Sequence, residues 1–221
     1  MSRGRTYEGP EADITFNARK CIHAEECVHG LPNVFDAEKR PWIDAAGASA
    51  DEIAAAVANC PTGALTMMRH DGGAEKRADD NVSVTVAPDG PVYVRGDMTV
   101  GVPGADEPSR ETRAAFCRCG QSANKPFCDN AHIDANFKGG NIAEMPERAV
   151  AEAPDPGGAA VSPLENGPLF LEGVVKFTAE DGTEGWITNP ALCRCGLSST
   201  KPFCDGSHKD GAFVSPGPSS T

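Results

Sequence analysis

The chain has 221 residues, enough for one or two domains of ordinary size or for three small ones stabilised by metal or covalent staples. Aromatic residues make up only 6% while Gly (24) and Pro (18) are abundant, so large apolar cores are scarce and staples are favoured. A net charge of -12 argues against nucleic acid and anionic membranes as partners and leaves basic protein surfaces or small molecules.

Residues 1–5 run directly into polar sequence with no apolar signal region, and no later stretch approaches the about 20 apolar residues that span a bilayer, so a cytoplasmic location is expected. Nine cysteines, an odd number, without a secretion signal point to thiolate-metal chemistry rather than a disulfide framework.

Residues 1–72 read as a first unit. Residues 13–16 and 64–68 are predicted strands, and a helix is predicted between them. Ser49 with Glu52 three residues later fits a capping box. Ile53, Val57 and Cys60 follow at i, i+4 and i+7, which puts Cys60 at the end of the buried face, and Pro61-Thr62-Gly63 stops the helix. Polar residues 70–76 mark a boundary.

Beyond it the chain repeats. Cys117, Cys119, Cys128, His132 and Phe137 recur, shifted by 76, at Cys193, Cys195, Cys204, His208 and Phe213, and Gly90-Pro91-Val92-Tyr93-Val94-Arg95-Gly96 resembles Gly167-Pro168-Leu169-Phe170-Leu171-Glu172-Gly173 shifted by 77. A whole unit is duplicated, once over 82–145 and again over 160–215. Each copy reads as short strands, such as residues 82–86 and 174–177, followed by a cysteine-bearing loop. Residues 153–158 look like a linker, and residues 215–221 like a frayed end.

Each repeated loop offers three thiolates and an imidazole, a donor set that suits one tetrahedral metal such as zinc or one 2Fe-2S cluster. Cys-x-Cys sets two donors close together. Cys128 and His132, or Cys204 and His208, are four apart and share a face if that stretch is helical. Two donor pairs fit two irons.

These segments resemble the CDGSH iron-sulfur family, whose pattern is C-x-C-x2-(S/T)-x3-P-x-C-D-G-(S/A/T)-H. The second copy matches throughout, and the first departs only at Asn130 in place of Gly, a residue that tolerates the left-handed backbone. The resemblance implies that Cys117 and Cys119 hold an inner iron and Cys128 and His132 an outer, more exposed one, with Cys193 and Cys195, then Cys204 and His208, doing the same. It also implies that Asp129 and Asp205 support the cofactor from behind the ligands. One imidazole in place of a thiolate leaves the cluster one unit less negative, which raises its reduction potential, allows electron uptake to couple to a proton, and makes it acid-labile. Lys125 and Lys201 are candidates for screening the cluster charge, or else solvated loop lysines.

Cys21-Ile22-His23-Ala24-Glu25-Glu26-Cys27, with Cys60-Pro61 further on, resembles bacterial ferredoxins in which C-x2-C-x2-C and a distant C-P surround a cubane cluster, and residues 12–68 resemble the divergent single-cluster ferredoxin domain. Ala24 stands where the middle cysteine belongs. Three thiolates suit a 3Fe-4S cluster; His23, one residue from the gap, offers the alternative of a fourth ligand and a 4Fe-4S cluster. His29 and His70 read as surface residues, and Trp42 and Trp186 as small-core anchors.

The sequence therefore predicts an α+β protein: a small ferredoxin-like N-terminal domain and two mostly-β CDGSH units in a pseudo-twofold arrangement. The expected function is electron transfer through two 2Fe-2S clusters and one 3Fe-4S or 4Fe-4S cluster, in a monomer with an internal pseudo-dimer that meets redox partner proteins. No nucleophile-base pair or nucleotide fingerprint appears, so no independent catalytic site is expected. A redox sensor or cluster-transfer protein and a zinc-stapled interaction module are the alternatives.

Overall fold

In the computed structural model, residues 4–73, 79–211 and 213–218 are described, and they fall into two compact units within Met1–Arg77 and Ala78–Thr221. Strands dominate and helices are few and short.

The first unit runs β1 (Arg5–Tyr7), β2 (Ala12–Phe16), α1 (Glu26–Gly30), α2 (Ala50–Ala58) and β3 (Leu65–Arg69). The strands form an antiparallel sheet in the order β1-β2-β3, with Ile14 facing Met67. Helix α2 begins where the capping box places it: the Glu52 amide donates to Ser49 Oγ, and the Ser49 amide donates to the Glu52 carboxylate at 3.0 Å. Its apolar stripe buries Ile53 and Val57 completely against the sheet, beside Ile14, Phe35 and Ile43. Each such side chain contributes about 1.5–3 kcal/mol. The helix ends at Ala58, and Cys60 follows on the turn that Gly63 (φ +65°) completes. Trp42 packs edge-on against Phe16 at 4.8 Å, as a core anchor should.

The second unit contains β4 (Ser83–Val86), β5 (Val92–Val100), β6 (Ser109–Phe116), α3 (Ala131–Asp134), β7 (Ala159–Pro163), β8 (Leu169–Glu172), β9 (Val174–Thr178), β10 (Glu184–Thr188) and β11 (Ala191–Leu192). These strands make one continuous sheet, β10-β9-β4-β5-β7-β8-β11, with β6 also on β5. Both repeats share it. The exchange is reciprocal: β4 of the first copy pairs in parallel with β9 of the second, and β7 of the second pairs in parallel with the end of β5 of the first. Gly96 (φ +133°) and Gly173 (φ +137°) stand at equivalent bends, where the chain leaves one pairing for the next; a Cβ at Gly96 would meet the Val82 backbone at 2.7 Å. The core beneath includes Val84, Val94, Met98, Val161, Leu171 and Phe177 from both copies.

Three expectations are refined. The C-terminal end is held, not frayed, through Pro218: Ser215 is buried and its amide donates to Asn166 Oδ1 at 2.9 Å, while 219–221 lie outside the described residues. The boundary at 70–76 is described only through Gly73. Within the segment 153–158, Gly157 bridges in parallel to Asn81, so that segment is tied to the start of the first repeat.

Candidate metal centres

The two Cys-x-Cys turns leave the ends of β6 and β11. The Cys117 amide donates to the Pro126 carbonyl and the Cys128 amide to the Ala115 carbonyl; Cys193 to Pro202 and Cys204 to Ala191 repeat the pattern. Ser122 Oγ and Ser198 Oγ donate to the Phe127 and Phe203 carbonyls at 2.7 Å and close each loop. The result is two pairs of donors per motif. Cys117 Sγ lies 3.8 Å from Cys119 Sγ, and Cys193 Sγ 3.7 Å from Cys195 Sγ. Cys128 Sγ lies 3.5 Å from His132 Nδ1, and Cys204 Sγ 3.3 Å from His208 Nδ1.

These spacings test what the donors hold. Two sulfurs bound at about 2.3 Å to one tetrahedral ion lie about 3.8 Å apart, and a sulfur and an imidazole nitrogen slightly closer. Each pair is spaced for one ion. Among the described residues no three His, Cys, Asp or Glu side chains converge on a single-ion site; the donors of each repeated motif come as pairs.

The shared face of Cys128 and His132 is made differently from the helical expectation. The four-residue α3 starts only at Ala131, and a single 3₁₀ turn, Ser207–Lys209, does the same work in the second copy. Asn130 (φ +71°) and Gly206 (φ +94°) supply the left-handed step that swings the imidazole toward the cysteine. Asn therefore performs the Gly role at that position.

Electrostatics suits a cation. Burial pushes the Cys128 thiol up to about 11, partly offset by the Asn130 amide that donates to its sulfur at 3.4 Å. The Cys117–Cys119 hydrogen bond shares one proton, pulling Cys117 down to about 6 and pushing Cys119 up. Gln121 and Leu197 amides donate to Cys119 and Cys195 sulfurs at 3.4 Å, as thiolates require. Burial keeps the His132 imidazole neutral and ready to ligate.

Asp129 and Asp205 are exposed braces of the loop. Asp129 accepts the Ala123 and Ala131 amides; Asp205 accepts the Ser199 and Ser207 amides and both their hydroxyls. Lys125 and Lys201 are satisfied by the Ser122 and Ser198 carbonyls.

In the first unit Cys21, Cys27 and Cys60 line a cavity of about 720 Å³, together with His23 and Ala24. His23 and Glu25 hold left-handed backbone at φ +53° and +61°, which wraps the chain around it. The His23 amide donates to Cys21 Sγ at 3.4 Å. Burial raises both Cys21 and Cys27, and the Cys60 thiol adds to each. His29 and His70 are both exposed surface residues, His29 lying 3.9 Å from Glu25 and His70 3.1 Å from Asp13.

Two further residues escaped the sequence reading. Arg118 and Arg194, the middle residues of the Cys-x-Cys turns, are almost wholly buried, and their guanidiniums lie over the rings of Phe137 and Phe213. The signal was present: Arg and Phe both recur at the 76-residue shift.

Paired thiolate and imidazole donors, twice repeated, and a three-thiol cavity define an iron-sulfur protein. A family described as a divergent 4Fe-4S mono-cluster matches residues 7–70, and the iron-binding zinc finger of CDGSH type matches twice, over 89–133 and 166–209. The uncharacterized protein YjdI of Escherichia coli K12 and its counterpart in strain O157:H7 are each 33% identical over 61 residues, which span 28% of this chain and 80% of theirs. No solved structure matches the chain. The chain belongs to the CDGSH iron-binding family, with two copies of the motif, and carries a divergent single-cluster 4Fe-4S domain ahead of them.

Proposed function

We propose that the protein is an electron carrier with two 2Fe-2S clusters and one larger cluster, without an independent catalytic reaction. The observation that supports it best is the donor pairing: Cys117 with Cys119 and Cys128 with His132, each spaced for one iron, and likewise Cys193 with Cys195 and Cys204 with His208. The bound clusters would supply one-electron chemistry near the protein surface. The buried thiols hold the inner iron, the half-buried imidazoles face the outer one, and Asp129 and Asp205 fix the loops.

At the N-terminal site Cys21, Cys27 and Cys60 would hold a 3Fe-4S cluster, because Ala24 offers no donor. The matched family's description names a 4Fe-4S cluster, and His23, lining the same cavity, is the fourth ligand that reading needs. The reciprocal strand exchange supports a pseudo-twofold pair within one chain, so light scattering at low concentration should give a monomer. The partners would be redox proteins, met in the cytoplasm; no helix among the described residues is long and apolar enough to cross a membrane.

Iron and sulfide counting with EPR on anaerobic protein tests the reading. About seven irons per chain support it, about eight indicate a cubane in the first unit, and zinc in their place overturns it. A second reading, cluster release or transfer, is favoured by exposure: Cys204 and both histidines are half-buried, while Cys117, Cys119, Cys193 and Cys195 are buried. Repeated redox cycling without iron loss favours the carrier.

A further inference from the structure

A guanidinium out of water needs an anion or a full set of acceptors, and even with acceptors its charge remains costly. Arg118 donates to the carbonyls of Gly90, Gly140, Ala87 and Gly139 at 2.7–3.0 Å, and Arg194 to the carbonyls of Gly167 and Leu164 and the hydroxyl of Ser215. Every acceptor is neutral. Among the described residues no carboxylate bonds either guanidinium, although each is only 1% exposed.

The groups beside them that turn anionic on binding a metal are cysteines, and they come from both motifs. A Cβ at Gly120 would stand 2.7 Å from the Cys195 carbonyl oxygen, and one at Gly196 2.8 Å from that of Cys119, so the two Cys-x-Cys turns abut. Each arginine stands between the two cysteines of its own turn, and the abutting turn brings the other motif's Cys-x-Cys against it.

The surroundings differ at one position. The turn beside Arg118 contains Asp89, which accepts the Gly139 amide and pairs with Lys138, and whose charge reaches the guanidinium; the equivalent residue beside Arg194 is the neutral Asn166, which accepts the Ser215 amide. Arg118 has a carboxylate to offset part of its charge. Arg194 has an uncharged amide in that place.

We propose that Arg118 and Arg194 are the buried counter-charges of the two CDGSH clusters, each acting across the contact between the Cys-x-Cys turns on both centres, and that Arg194 has the larger effect because Asn166 replaces Asp89 beside it. They are positioning residues: each is the middle residue of a Cys-x-Cys turn, and its guanidinium ties that turn to the neighbouring loops without touching a donor atom. The proposal rests on the two-cluster reading above.

The test is voltammetry on the full, iron-loaded chain, with iron and sulfide counted first. Arg194→Gln should lower the potentials of both repeated clusters, and Arg118→Gln should lower them less. Because either substitution also removes hydrogen bonds, two variants keep both arginines: Asp89→Asn should raise the potentials, and Asn166→Asp should lower them. A merely structural role would change stability and iron content while leaving the potentials of the loaded fraction in place, and that result overturns the inference. Opposite shifts for Asp89→Asn and Asn166→Asp support it. If the wild-type chain takes up zinc and no iron, the two-cluster reading itself has failed, and this proposal with it.

Discussion

Gly120 lies against the carbonyl of Cys195, so close that a Cβ there would come within 2.7 Å of the oxygen, and its φ of +81° is left-handed as well. Gly196 repeats the relationship against Cys119 at 2.8 Å with φ +83°. Ala at either position faces backbone strain of roughly 1–3 kcal/mol plus the clash. Gly120→Ala and Gly196→Ala should therefore each lower the urea midpoint and reduce iron at both motifs. Gly182→Ala, with φ +85° but nothing within 4 Å, has the strain without the contact and should leave iron content intact. Iron loss confined to the mutated motif would show that the two turns are independent.

Ala24 lines the cavity between Cys21 and Cys27 without a donor. Ala24→Cys should supply a fourth thiolate and convert the oxidised protein's 3Fe-4S EPR signal into that of a 4Fe-4S cluster after reduction. His23→Ala should leave the wild-type signal unchanged. A wild-type protein that holds four irons at this site and loses one in His23→Ala would assign His23 as the ligand.

Helix α2 positions Cys60, and its cap sets its acid sensitivity. Hydrogen bonds from the Ser49 hydroxyl and amide lower the Glu52 carboxyl below its ordinary value of about 4.3. A depressed carboxylate contributes stability that is present above the unfolded value and lost as pH falls through the folded one. Ser49→Ala should cost about 1 kcal/mol at neutral pH and flatten the stability decline below about pH 4.3. Urea unfolding followed by Trp42 fluorescence in a Trp186→Phe background measures both. An unchanged acid slope would show that Glu52 gains nothing from the cap in solution.

Features written in local chemistry were legible in the sequence. Ser49 and Glu52 announced the start of α2, and Asn130 announced a left-handed step because few other residues take one cheaply. The closeness of Cys117 to Cys119 and of Cys128 to His132, and of their counterparts, followed from spacing. What stayed hidden depends on contacts far apart in the chain. β6 contains Ser109, Arg110, Glu111, Thr112 and Arg113, too polar to read as a strand, yet Glu111 and Arg113 are buried where it crosses β5. The change of partners at Gly96 and Gly173 is visible only once both copies share a sheet. Arg118 and Arg194 carried no expectation of burial because a buried arginine is rare, and only the closed loops around them reveal it.

In the proposed reading, His132 and His208 are the donors that distinguish the repeated sites from all-thiolate ones. Both stand beside a cysteine sulfur, at 3.5 and 3.3 Å, and both are half-buried. Burial favours the neutral His132 ring, the form able to ligate, and a ring protonated at both nitrogens cannot. Replacing either with Cys adds one negative charge to the donor set and removes a group that exchanges protons near neutrality. His132→Cys and His208→Cys should each lower the potential of their own centre, flatten its dependence on pH between about 6 and 9, and slow iron loss in mild acid. Voltammetry across that range separates ligand chemistry from general destabilisation, which would speed iron loss without flattening the slope. If both variants retain iron and neither potential, slope nor acid decay changes, the histidines do not ligate, and the outer pair of each motif must be assigned anew.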